Sequence, residues 1–320
     1  MTRGLLLAVL ALPGCLNLDS FSFNGVPCST VGPDTCDRGT WDSVCLTCEE
    51  PYDWARDYPW EAEFPDMLEG RTIRAAEGVE QHTIPSEDGL AQLDAAWVPS
   101  HGGEPLLART TIVYNHGNYA GIEHYAPRVR LLHELGYNVL IWDYRGYGKT
   151  EPATHPTAEQ FVADARTVRE YVKTLAPDPD RIIVYGYSLG GIPAVEMAVA
   201  EEPCALFLEA PFTSASIIAD ESGTVGWPES FLSEGLFDNA RKLRSYTGPT
   251  FLMVGDLDSR FPSNTQEQLI DNAAGPSELW VLEGVRHGIS DGGVPEASLA
   301  TYASRMADFL RDNAQGCLQP

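Results

Sequence analysis

Long apolar runs are missing from this 320-residue chain; the run at residues 4–12 is too short to cross a bilayer, so a multi-span membrane protein is excluded. Positive charge is scarce as well, with 21 Lys and Arg against 46 Asp and Glu and a formal net charge of -25. That balance repels phosphate backbones and anionic surfaces at long range and argues against a nucleic-acid partner. Histidine is sparse: seven in all, of which one, His287, follows residue 188. Metal-type spacing is thin too, because Cys45-x-x-Cys48 has no matching second pair and no nearby histidine, so no zinc site is implied. There is no internal repeat. What remains is ordinary globular composition, 43% hydrophobic and 21% charged, at a length suited to one large domain with an appendage.

The first residues, Met1-Thr2-Arg3 followed by the apolar run, read as a secretory leader. It ends Leu12-Pro13-Gly14-Cys15, which resembles the lipobox of bacterial lipoproteins despite the atypical Pro13. That resemblance implies lipidation at Cys15 and an exported protein held at the cell envelope through a lipid anchor alone; the alternative is a plain secretory signal. Without Cys15 six cysteines remain, Cys28, Cys36, Cys45, Cys48, Cys204 and Cys317, an even set that suggests disulfides in an oxidising compartment. Two are expected among the first four, with connectivity open, and one between Cys204 and Cys317. The expected division is a leader at 1–14, a Cys-rich spacer or small cap at 15–77, and a catalytic domain at 78–320.

From about residue 78 strand and helix patterns alternate, which predicts an α/β fold: a mostly parallel sheet with helices on both faces. Strands are expected at 79–84, 90–98, 110–114, 138–142, 181–185, 205–208, 250–254 and 278–282. Helices are expected through Ile122, Tyr125, Val129 and Leu132, after a Thr157/Gln160 capping box, at 189–200, and through Leu299, Tyr302, Met306, Phe309 and Leu310. The pattern breaks at about 211–248. The apolar residues there, among them Ile217, Ile218, Val225, Trp227, Phe231 and Leu236, suggest a lid over an acyl pocket.

Gly186-Tyr187-Ser188-Leu189-Gly190 is a G-x-S-x-G turn between a strand and a helix, which lifts a serine hydroxyl above the sheet. Such a hydroxyl needs a base, and His287, in the loop after a strand, is the one histidine downstream. A carboxylate must hold the imidazole. Asp256 and Asp258 both leave strand 250–254, and Glu209 is a more distant third. For the oxyanion the backbone N–H groups of Leu189 and of Asn118, in His116-Gly117-Asn118, are the candidates, with His116 bracing its loop. The stretch Gly146-Tyr147-Gly148-Lys149-Thr150 ends like a P-loop but has Asp143 where the first glycine belongs, so no nucleotide site follows.

Together with Asp143-Tyr144-Arg145-Gly146-Tyr147-Gly148 and Gly284-Val285-Arg286-His287-Gly288, these motifs resemble the α/β-hydrolase superfamily over residues 80–312. Within it they look like the branch of abhydrolase-domain proteins that includes membrane-associated lipid and acyl-protein hydrolases. The resemblance implies a Ser188, Asp258, His287 triad, since the branch carries its acid three residues after the glycine ending its strand. The expected activity is cleavage of small-molecule or lipid-like esters without metal or organic cofactor. An aminopeptidase using Asp220, Glu221 or Glu229 to hold an amine, or a scaffold without turnover, are the rivals. Neither the oligomeric state nor the substrate follows from the sequence.

Overall fold

The computed structural model describes residues 23, 25–30, 48, 51–54, 75–103, 106–214, 235–287 and 299–318. The leader, Cys15, Cys36, Cys45 and most of the expected lid, including Asp220, Glu221 and Glu229, lie outside the described residues.

Eight strands form one sheet: β1 (Glu80–Pro85), β2 (Gln92–Val98), β3 (Thr111–Asn115), β4 (Asn138–Trp142), β5 (Ile182–Tyr187), β6 (Ala205–Glu209), β7 (Thr250–Gly255) and β8 (Ser277–Leu282). Their order is β1-β2-β4-β3-β5-β6-β7-β8. The first two make an antiparallel hairpin, β2 also runs antiparallel to β4, and every other pair is parallel. The helices are α1 (Ile122–Glu134), α2 (Ala158–Val172), α3 (Gly191–Ala200), α4 (Asn239–Leu243), α5 (Ser263–Asp271) and α6 (Leu299–Asn313).

The central strands are buried at every position because both faces are covered, and successive side chains divide between the two layers. Val113, Leu140, Val184, Leu206 and Leu252 join Phe161, Val168 and Ile192 of α2 and α3 in one core. Ile112, Ile141, Tyr185, Phe207 and Phe251 join Tyr125 and Val129 of α1 and Met306 and Phe309 of α6 in the other. The Thr157/Gln160 capping box is formed, with Gln160 N–H donating to Thr157 Oγ1 at 3.2 Å. Each expected strand is present within about two residues of its expected bounds.

Two helices are additions to the sequence reading. α4 is a single short turn started by Asp238, whose side chain accepts from Arg241 N–H at 2.9 Å. α5 is largely polar and buries only Gln266 and Leu269, too few for a visible stripe.

The tail is fastened at the sheet: Cys204, just before β6, is bonded to Cys317, and the Cys317 carbonyl accepts from Arg181 Nε at 2.8 Å and Thr110 Oγ1 at 3.1 Å. Of the N-terminal cysteines, Cys28 pairs with Cys48.

The chain leaves β3 toward β4 on one side and β5 toward β6 on the other. Their carboxyl ends therefore flank the crevice where this kind of sheet collects functional groups.

Candidate active site

Strand β5 runs straight into Ser188, whose backbone turns to φ +52° before α3 begins. A non-glycine residue in that region is strained and persists only where its surroundings hold it. Here the Ser188 carbonyl accepts from Phe212 N–H at 2.9 Å. The turn is also pressed against the loop after β3: a Cβ on Gly190 would sit 2.0 Å from the Asn115 carbonyl oxygen, which is why a glycine stands there.

Ser188 Oγ lies 3.1 Å from His287 Nε2, and His287 Nδ1 lies 2.9 Å from Asp258 Oδ2. All three residues are buried, at 8%, 6% and 3% exposure, so the chain of contacts operates away from bulk water. The other oxygen of Asp258 accepts from the N–H groups of Arg260 and Phe261, both at 2.9 Å, which fixes the carboxylate's orientation. Asp256, left open beside it by the residues alone, does something else: its side chain is exposed and accepts from Gly284 N–H at 2.8 Å, lacing the acid loop to the histidine loop. Leu257 N–H donates to the Val285 carbonyl at 2.9 Å and completes that lacing. Glu209 is committed elsewhere, as described below.

The two oxyanion candidates come from different elements, Leu189 from the serine turn and Asn118 from the loop after β3. Leu189 is the second residue of the short 3₁₀ turn Ser188–Gly190, where a backbone N–H has no carbonyl a turn behind it. Asn118 sits in the loop after β3, with its side-chain oxygen accepting from Tyr147 Oη at 2.5 Å. His116 is fully buried: Nδ1 is 2.8 Å from the Gly117 carbonyl, Nε2 is 3.2 Å from Asp143 Oδ1, and the ring stacks on Tyr144. Asp143 Oδ1 also accepts the Ile122 N–H at the start of α1. His116 thus braces the loop.

Several residues around the triad were not expected. The Tyr187 ring stacks on the imidazole of His287 at 5.6 Å between centroids, and Phe261 meets it edge-on at 5.3 Å. The guanidinium of Arg128, from α1, lies 3.7 Å from the Tyr187 ring centroid. Arg128 pairs with buried Glu209, which also accepts from Tyr185 Oη at 2.9 Å; Tyr302 Oη donates to Tyr185 Oη at 3.1 Å. Burial opposes the charge on Arg128, yet Glu209 and the neighbouring tyrosines carry its pKa well above the ordinary value. The sequence held one signal for this network, an arginine on the apolar stripe of α1 three residues after Tyr125.

Comparison with known proteins agrees with this architecture. A model of the Hydrolase_4 family, described as serine aminopeptidase, S33, matches residues 107–233. The uncharacterized protein Rv2307c of Mycobacterium tuberculosis is 34% identical over 210 residues, 64% of this chain and 70% of its own. Human alpha/beta hydrolase domain-containing protein 17B is 28% identical over 185 residues, 56% of this chain and 61% of its own. Among solved structures, the Pyrococcus furiosus esterase Pf2001 superposes with a TM-score of 0.57 at 22% identity, covering 74% of this chain and 90% of that one. Est1E of Butyrivibrio proteoclasticus, with ferulic acid bound, gives 0.58 at 18% identity, covering 72% and 99%. At those identities the structures speak for the shared fold.

Proposed function

We propose that this chain, which belongs to the Hydrolase_4 family of α/β-hydrolases, is a serine hydrolase that cleaves carboxylic esters through an acyl-enzyme on Ser188. The observation that carries this reading is the buried run of contacts from Ser188 Oγ through His287 to Asp258. In the proposed reaction Ser188 Oγ attacks the ester carbonyl while its proton passes to His287 Nε2. Asp258 holds the Nδ1–H and offsets the imidazolium charge. The carbonyl oxygen, now anionic, takes the N–H groups of Leu189 and Asn118. Collapse expels the alcohol, which takes the proton from Nε2. Water then adds to the acyl carbonyl, gives a proton to His287, and releases the acid as the proton returns to Ser188.

Two observations support an ester over an amine-bearing peptide. The described walls beside the imidazole are aromatic, Tyr187 and Phe261, and suit an apolar acyl group. Of the other acids the sequence offers beside the triad, Glu209 is held in a buried ion pair with Arg128 and Asp256 accepts the Gly284 N–H, which disfavours either as the group that holds a substrate's ammonium. The serine aminopeptidase description of the family model supports the second reading, cleavage of an N-terminal residue. A panel of p-nitrophenyl esters and aminoacyl p-nitroanilides separates them. Turnover of esters with little of anilides is the expected result, and the reverse order would overturn the ester reading. A folded protein that neither turns over substrate nor takes a fluorophosphonate label would instead be a scaffold.

The envelope location remains part of the proposal, with residues 1–14 as leader and Cys15 as lipid anchor. The paired Cys28–Cys48 and Cys204–Cys317 support an oxidising compartment. Detergent-phase partitioning that is lost in Cys15→Ala is the expected result.

A further inference from the structure

The residues around 23–54 are absent from the family pattern that the catalytic motifs follow, yet residues 25–28 lie across the loops after β3 and β4. Gly25 pairs with Ala120 and Pro27 with Gly148, both in parallel. Val26 N–H donates to the Ala120 carbonyl at 3.2 Å, Gly148 N–H to the Val26 carbonyl at 3.1 Å, and Cys28 N–H to the Gly148 carbonyl at 2.6 Å. One extended segment is therefore hydrogen-bonded to two loops at once, the one after β3 and the one after β4. Its ends are tied down. Phe23 is buried edge-on to Phe161 at 5.2 Å, and Cys28 is bonded to Cys48, whose N–H donates to Glu123 Oε2 at 3.0 Å. Tyr52 lies under Lys149, whose Nζ is 3.8 Å from the ring centroid.

Asn118 is two residues before Ala120, and Tyr147 is one residue before Gly148. The bond from Tyr147 Oη to Asn118 Oδ1 thus joins the two loops at the place where the segment clips them together. The approach is close: a Cβ on Gly25 would fall 2.4 Å from the Gly146 carbonyl oxygen and 2.6 Å from the Tyr147 ring.

We propose that residues 25–28, stapled through Cys28–Cys48, form a positioning strap that holds the Asn118 loop in the geometry needed to receive the oxyanion. The inference rests on the hydrolase reading above. An oxyanion donor works because it is in place before charge develops, so a loop free to drift loses transition-state stabilisation while ground-state binding changes little. Tyr147 acts through Asn118 and is likewise a positioning residue.

The test uses the full chain with four changes: Gly25→Val, Cys28→Ser with Cys48→Ser, Tyr147→Phe, and Cys204→Ser with Cys317→Ser as the control that removes only the tail disulfide. Each protein is titrated with a fluorophosphonate to count functional sites, and kcat and KM for a p-nitrophenyl ester are expressed per labelled site. The first three should keep their labelled fraction while kcat per site falls roughly 10- to 100-fold with KM nearly unchanged. The control should keep kcat per site. Adding dithiothreitol should lower kcat of the wild type and of the control, and leave the Cys28→Ser/Cys48→Ser protein where it was. Strap variants with kcat per site within about twofold of wild type would overturn the proposal. So would a loss of labelled sites with kcat per remaining site intact, which marks a merely structural segment. A wild type that neither labels nor turns over sinks the hydrolase reading itself, and the strap's role falls with it.

Discussion

Replacing Asp258 by Asn tests the acid at the level of single hydrogen bonds. In the native site Asp258 Oδ1 accepts from the N–H groups of Arg260 and Phe261, and Oδ2 faces His287 Nδ1 at 2.9 Å. An asparagine amide has one acceptor oxygen and one donor nitrogen. Keeping the oxygen on the two backbone donors turns the NH₂ toward Nδ1; flipping it strands both donors, at about 1–3 kcal/mol for the buried Phe261 N–H and less for the part-buried Arg260 N–H. The first orientation wins. Nδ1 must then accept, the imidazole proton moves to Nε2, and Nε2–H points at Ser188 Oγ, where it can no longer take the hydroxyl proton. The expected loss is roughly 10⁴-fold in kcat, about 5.5 kcal/mol of barrier, with little change in folding. Asp256→Asn keeps an acceptor for the Gly284 N–H and should stay within about 0.5 kcal/mol in kcat/KM, as an exposed conservative change does. The assay is ester turnover per labelled site in both variants. Asp258→Asn retaining more than about a tenth of native kcat, or Asp256→Asn losing about a thousandfold, would refute the assignment.

Three further outcomes are expected. Gly190→Ala drives a methyl to 2.0 Å from the Asn115 carbonyl oxygen, so it should both lower Tm and abolish fluorophosphonate labelling, read by calorimetry and gel fluorescence. Glu209→Gln leaves the Arg128 guanidinium buried without a counter-charge and should cost about 3–5 kcal/mol in a urea melt, part of which Arg128→Met in the same chain restores. Burial and then the neighbouring Asp143 charge push Asp94 from 3.8 up to about 7. A carboxyl raised on folding contributes stability that is full below its unfolded pKa and is lost as pH rises through its folded one. Stability should therefore fall from about pH 4 to pH 7, and Asp94→Asn should flatten that slope and be the more stable protein at pH 8, measured by urea midpoints across pH.

The sheet was legible in the sequence because its central strands are buried on both faces and bounded by glycines and caps. The serine was legible because its strained turn demands small neighbours at 186 and 190, and the histidine because no other follows it. Asp256 and Asp258 could not be separated by residue type: both are acids on one loop, and what distinguishes them is which backbone donors each one meets. The Arg128–Glu209 pair joins groups 81 residues apart, so the arginine on the α1 stripe leaves a periodic trace while its partner leaves none. The segment at residues 25–28 reads as irregular because its two partners, at Ala120 and Gly148, are remote in the chain. Its order comes from tertiary hydrogen bonds and from the Cys28–Cys48 bond.

The bond between Cys204 and Cys317 gives the molecule a covalent topology as well as a clamp. It closes residues 204–317 into a ring that carries both Asp258 and His287, while Ser188 stands on the open chain outside it. A protease that severs one peptide bond anywhere inside the ring only opens the circle, since each new end remains attached through the sulfurs to the strand beside Ser188. Nucleophile, base and acid would stay parts of one covalent body after such a nick. A nicked sample would therefore run as a single band without reductant and as two fragments with it.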